Sequence, residues 1–184
     1  MSVLSGTVIR RLCGADPKVR LEAAPMIEPF QERSVIRGRS VGCSIAGYDI
    51  QIAEDHKLAP GPSHRFELGS SAERFSMPRG VIGFVKDKSS WARQGLSVFN
   101  TVIEPGWCGY LTLELVYHGD GLLIIMAGDP IAQIIFQWVD VPGEGYSGKY
   151  QNQEAGPHTI RYEPDHPDMD LSDGHWREGR FYPR

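Results

Sequence analysis

Tyr110-Leu-Thr-Leu-Glu-Leu-Val-Tyr117 is the stretch on which the fold turns. Leu111, Leu113 and Leu115 recur at every second position, with Thr112 and Glu114 between them. Successive side chains of a strand point to opposite faces, so this period puts the leucines on a buried face and Thr112 and Glu114 on the other. Similar short runs lie at residues 44–52, 65–68, 81–85, 122–126 and 131–139. They are rich in β-branched and aromatic residues, and Pro-Arg-Gly, Glu-Pro-Gly, His-Gly-Asp-Gly and Gly-Asp-Pro turn the chain among them. That spacing describes a sandwich or barrel. Two segments break the pattern. Ser5-Gly-Thr-Val-Ile-Arg-Arg-Leu-Cys-Gly14 predicts a short N-terminal helix with Val8, Ile9 and Leu12 on one stripe, and Asp87-Lys-Ser-Ser-Trp-Ala-Arg-Gln-Gly95 predicts a turn or two of helix at about 88–95.

The composition agrees. A chain of 184 residues that is 41% hydrophobic suits one compact domain, and 21 Gly with 13 Pro favour many short strands over a helical bundle. Past Val141 the chain turns polar and Gly-rich, and residues 1–159 are expected to form the domain, with 160–184 a charged tail. Nineteen Lys and Arg against 23 Asp and Glu leave a net charge of −4, which argues against a nucleic-acid-coating role, since that needs a concentrated basic field. No run approaches the roughly 18 apolar residues of a membrane span, and the first residues lack the basic-then-apolar build of a secretory signal; a cytoplasmic protein is expected. Cys13, Cys43 and Cys108 are odd in number and widely spaced, which writes neither a disulfide framework nor a zinc pair.

The motifs of zinc hydrolases, zinc deaminases, P-loop proteins and nucleophile-elbow hydrolases are missing. What remains is dispersed. Lys88, Ser89, Ser90 and Arg93 offer two cations and two hydroxyls around a possible helix start, a setting for an anion or simply a capped helix. Glu114 is either a solvated outer-face residue or a carboxylate facing a site. Glu104 sits in a Glu-Pro-Gly turn, and Tyr146, Lys149 and Gln153 lie on a Gly-hinged segment that closes over a ligand or is a plain loop.

The order and wording of these pieces are more specific. Ala46-Gly-Tyr-Asp-Ile50, Lys88-Ser-Ser-Trp-Ala-Arg-Gln-Gly95, Ile103-Glu-Pro-Gly-Trp-Cys-Gly109, Leu111-Thr-Leu-Glu114, Gly128-x-x-Ile-Ala-Gln-x-x-Phe136 and Gly148-Lys-Tyr-Gln-x-Gln153 closely resemble the dCTP deaminase family, over residues 44–153. The resemblance implies a mainly β fold, a distorted β-barrel of the dUTPase-like type, assembled as a homotrimer with active sites between subunits. It implies hydrolytic deamination of dCTP to dUTP and ammonia with no catalytic metal or zinc, and Mg2+ carried on the nucleotide triphosphate. By similarity Glu114 is the general acid/base, Ser89 holds the attacking water together with a carbonyl from residues 100–102, and Arg93 supports the site. Lys88, Ser90, Glu104, Tyr146, Lys149 and Gln153 match substrate-binding positions. Glu104 stands where many members carry Asp. A dUTPase, or a bifunctional deaminase giving dUMP, is the alternative within enzymes, and a non-catalytic nucleotide-binding barrel the alternative outside them.

Overall fold

The computed structural model describes residues 2–14, 24–61, 64–99, 101–161, 174–177 and 180–183. Its strands are β1 (Ile27–Glu28), β2 (Ser34–Ile36), β3 (Arg39–Cys43), β4 (Tyr48–Gln51), β5 (His56–Leu58), β6 (Phe66–Ser76) and β7 (Val81–Asp87). They continue with β8 (Leu96–Val98), β9 (Val102–Ile103), β10 (Cys108–Tyr117), β11 (Leu123–Ile125), β12 (Pro130–Trp138), β13 (Gly174–Arg177) and β14 (Arg180–Pro183). The helices are α1 (Gly6–Leu12) and α2 (Ser89–Ala92). The mainly β expectation and both short helices are met.

One sheet has the order β2-β3-β4-β12-β7-β9 and a second the order β1-β6-β10-β8, with β5/β11 and β13/β14 as two-stranded ladders. Every one of these pairings is antiparallel. β10 alternates along its whole length, its leucines buried and Tyr110, Thr112, Glu114 and Val116 half-buried on the other face. Its three leucines join Ile134 and Phe136 of β12, Val85 of β7, Tyr48 and Ile50 of β4 and Phe75 of β6 in one continuous apolar core. Each such side chain contributes about 1.5–3 kcal/mol by leaving water. Ile9 of α1 is also fully buried there, with Val8 and Leu12 packed against the core, so the expected stripe faces inward.

Two differences from the sequence reading concern local geometry. Residues 44–52 are not one strand: Ser44 N–H donates to the Gly47 carbonyl at 2.9 Å, closing a turn, and the strand begins only at Tyr48. The segment before it, which shows no period, forms the β2–β3 hairpin. Part of the expected tail lies outside the described residues; β13 and β14 pair with each other, Gly174 opposite Pro183. No helix among the described residues is long and apolar enough to cross a membrane.

Candidate active site

β10 builds the wall of a cleft of about 410 Å³. Its partner on one side is β6, which places Leu68 opposite Glu114 and Ser70 opposite Thr112. Glu114 lines the cleft with Glu104, Tyr146 and Gln153, so four of the residues singled out from sequence meet there. Burial pushes the Glu114 carboxyl up from its ordinary range, opposed by a hydrogen bond from backbone N–H. A carboxyl so placed exchanges protons closer to neutral pH than a solvated glutamate does.

The far wall comes from the chain after Gly145. Tyr146 N–H donates to the Pro105 carbonyl at 2.7 Å, and Trp107 Nε1–H donates to the Tyr150 carbonyl at 2.7 Å. Gln151 accepts from Cys108 N–H through Oε1 and donates from Nε2 to the Gly106 and Tyr146 carbonyls. Gln153 donates through Nε2 to the Tyr110 carbonyl and Thr112 Oγ1, both at 2.8 Å, and His158 N–H donates to the same hydroxyl at 3.1 Å. Gly109 allows this docking: at φ +142 it brings β10 so near Gln153 that a Cβ would lie 2.7 Å from Gln153 N. Each hydrogen bond is worth about 1 kcal/mol net, so together they fix the segment while leaving it releasable. Trp107, Thr112, Tyr150 and His158 line the same cleft and were not singled out in the sequence. Thr112 was legible as Glu114's neighbour on one face, and Trp107 and Tyr150 lie within the stretches at 103–109 and 148–153; His158 is brought there by tertiary contacts alone.

Lys88, Ser89, Ser90 and Arg93 lie elsewhere, in a second cleft of about 490 Å³ that also includes Gly38, Arg39, Ser40, Asp49, Asp87 and Gln133. The two clefts have no lining residue in common. α2 is fixed from both sides. Trp91 is buried and its Nε1–H donates to the Pro130 carbonyl at 2.7 Å, while Asp87 Oδ1 accepts from Val98 N–H at 2.9 Å. Ser89 and Arg93 are exposed. Lys88 is only 8% exposed, and its Nζ sits 2.9 Å from Asp49 Oδ2 and 3.0 Å from Ser40 Oγ. Lys149 lines neither cleft; its Nζ lies 5.4 Å from the Tyr150 ring centre. Of the expected water-holding carbonyls, Asn100 falls outside the described residues, and the Thr101 carbonyl already accepts Val85 N–H at 3.2 Å. Among the described residues no group of three or more His, Cys, Asp or Glu side chains is placed to hold a metal ion.

The chain is 34% identical over 159 residues to a dCTP deaminase of Roseiflexus castenholzii, covering 70% of this chain and 86% of the relative. It is 33% identical over 161 residues to a dCTP deaminase of Gemmatimonas aurantiaca, covering 71% and 88%. The chain belongs to the dCTP deaminase family. A family model described as dCTP deaminase-like matches residues 49–139, which include Lys88, Ser89, Ser90, Arg93, Glu104 and Glu114. Tyr146, Lys149 and Gln153 lie beyond that match, yet Tyr146 and Gln153 share the cleft of Glu114. Among solved structures, a dUTPase of Staphylococcus bacteriophage 80alpha is 17% identical, with a TM-score of 0.49, over 68% of this chain and 94% of that one.

Proposed function

We propose that this member of the dCTP deaminase family hydrolytically deaminates dCTP to dUTP and ammonia. The observation that carries the reading is Glu114: a half-buried carboxyl on the non-core face of β10, raised in proton affinity by burial and lining a cleft of nucleotide-base scale. Glu114 takes a proton from water as its oxygen bonds to cytosine C4, and delivers a proton to ring N3. The proton of the new C4 hydroxyl then passes through Glu114 to N4, the C4–N4 bond breaks, ammonia leaves, and C4 keeps its new oxygen as a carbonyl.

Ser89 positions the water, and Arg93, whose planar guanidinium suits a carboxylate or a base edge, orients the reacting groups. Ser90, Glu104, Tyr146, Lys149 and Gln153 bind the nucleotide, with Lys88 beside its phosphates. The Mg2+ that accompanies the triphosphate belongs to the substrate and is held by phosphate oxygens and water. Glu114 and Ser89 line different clefts of one chain, which supports a homotrimer whose active sites form between subunits, one contributing β10 and its neighbour α2. In this reading residues 1–159 form the catalytic domain of a cytoplasmic enzyme and 160–184 a tail.

Incubating the purified protein and Mg2+ with dCTP, dCMP, CTP and dUTP in turn, and identifying products by chromatography, tests it. Conversion of dCTP to dUTP with equimolar ammonia is expected, with dUTP left intact. Accumulation of dUMP moves the chain to the dUTPase or bifunctional reading, and nucleotide binding without any product moves it to a non-catalytic barrel.

A further inference from the structure

The β2–β3 hairpin carries a cation that the reading above leaves unused. Its two-residue turn, Arg37-Gly38, has φ +46 and +77, the pattern of a type I′ turn, whose twist suits a hairpin. Arg37 Nη1 lies 2.9 Å from Asp129 Oδ1, which ties the hairpin tip to the loop entering β12. Arg39 follows at the head of β3, its guanidinium carbon 3.6 Å from the centre of the Trp91 ring. The ring is itself immobilised by its bond to Pro130, so the guanidinium rests on a fixed surface with its orientation preset.

Two polar atoms here are unsatisfied. Arg39 Nε and Ser90 Oγ are both buried, and neither has a hydrogen-bond partner among the described residues. Buried polar atoms are rarely left unpaired, and Arg39 and Ser90 both line this cleft, which suits an acceptor that enters from solvent. The charges in the cleft specify its sign. Lys88 is neutralised by Asp49; Asp87 accepts from Val98 N–H and keeps its negative charge, which leaves Arg39 and Arg93 as the cations in excess. Among the described residues no carboxylate lies within ion-pair distance of Arg39 or Arg93.

We propose that Arg39 binds a phosphate of the nucleoside triphosphate, Ser90 Oγ donating to the same group. The proposal rests on the dCTP deaminase reading for the identity of the ligand, but its phosphate chemistry is measurable without turnover. Inorganic tripolyphosphate with Mg2+ is titrated calorimetrically into the full chain and into the variants Arg39→Gln and Arg39→Lys, and dCTP kinetics are recorded in parallel. Arg39→Gln is expected to weaken tripolyphosphate binding about 10–100-fold and to raise KM for dCTP by a similar factor, with kcat within about threefold of native. Arg39→Lys keeps the charge and the aliphatic stem over Trp91 but loses the planar fork, and is expected to lie between the two. If Arg39→Gln does not fold, Arg39→Lys decides: a severalfold loss of affinity supports the phosphate role and native affinity overturns it. Unchanged affinity in Arg39→Gln, or a native protein that ignores tripolyphosphate, also overturns it. A native protein that binds tripolyphosphate through Arg39 and leaves dCTP unchanged supports the phosphate subsite while overturning the assignment of dCTP.

Discussion

Glu114 gains its chemical character from one step of strand geometry: between two buried leucines it must face the other way, into a cleft rather than the core or open solvent. Glu114→Gln keeps size and shape and removes the proton carrier, so ammonia release should fall about 10²–10⁴-fold while dUTP binding stays near native. Comparing the two in a single preparation checks this, and undiminished release removes Glu114 from the reaction. Glu73 of β6 shows the other fate of a buried carboxyl. It is 1% exposed, both oxygens accept from Gln51 N–H, and burial raises it from 4.5 to about 7. Between those values the folded chain keeps a proton that the unfolded chain has released, so stability falls as pH rises through the window and is level above it. The loss is about 3 kcal/mol. Glu73→Gln should flatten the slope, read from urea midpoints at roughly pH 5 and pH 8, and an equal slope in both proteins assigns it elsewhere. Glu114 was legible because its neighbours carry the signal. The partner of Lys88 was not, since Asp49 lies on another strand and nothing local announces the pair.

Among the elements, β10 and both helices were legible because each is written by a local rule, alternation in one case and a Ser start with a Gly stop in the other. The β2–β3 hairpin was not, because its type I′ turn is made by Arg37-Gly38 instead of the Asn-Gly or Asp-Gly pairs that usually signal one. The start of β4 was misplaced for a similar reason: Ser44, Ile45 and Ala46 continue the apolar rhythm but form a turn closed by a single backbone bond. The segment around Tyr146 and Gln153 was legible as a candidate wall of the site, though not how it is held. Its dependence on Gly109 is testable. In Gly109→Ala the new Cβ meets Gln153 backbone at 2.7–2.8 Å, at a φ that alanine resists, so the segment should lift from β10 while the core stays folded. Limited proteolysis should then cut between residues 146 and 161 several-fold faster than in native protein, with a raised KM for dCTP and a cooperative thermal transition retained. Equal cleavage in both proteins means that the segment is held by something other than its alignment with β10.

At the scale of the whole molecule, the decisive feature is that the groups proposed to serve one reaction line two clefts without a common residue. The core explains the separation: β10 belongs to the four-stranded sheet, while α2 follows β7 of the six-stranded sheet and is bonded to Pro130 of β12. Period and composition foretold the β architecture but carry no information about which sheet each motif joins. On the proposed function this division calls for a neighbouring subunit, and mixed trimers examine that requirement. Chains carrying Ser89→Ala and chains carrying Glu114→Gln, each nearly inactive alone, are co-expressed with different tags, and the trimers bearing both tags are isolated. At a shared site, some subunit junctions in these trimers pair an intact Glu114 with an intact Ser89. One junction in three does so in either composition, and ammonia release from dCTP at about a third of the native rate is therefore expected. Release no greater than that of either variant alone contradicts a site built between subunits.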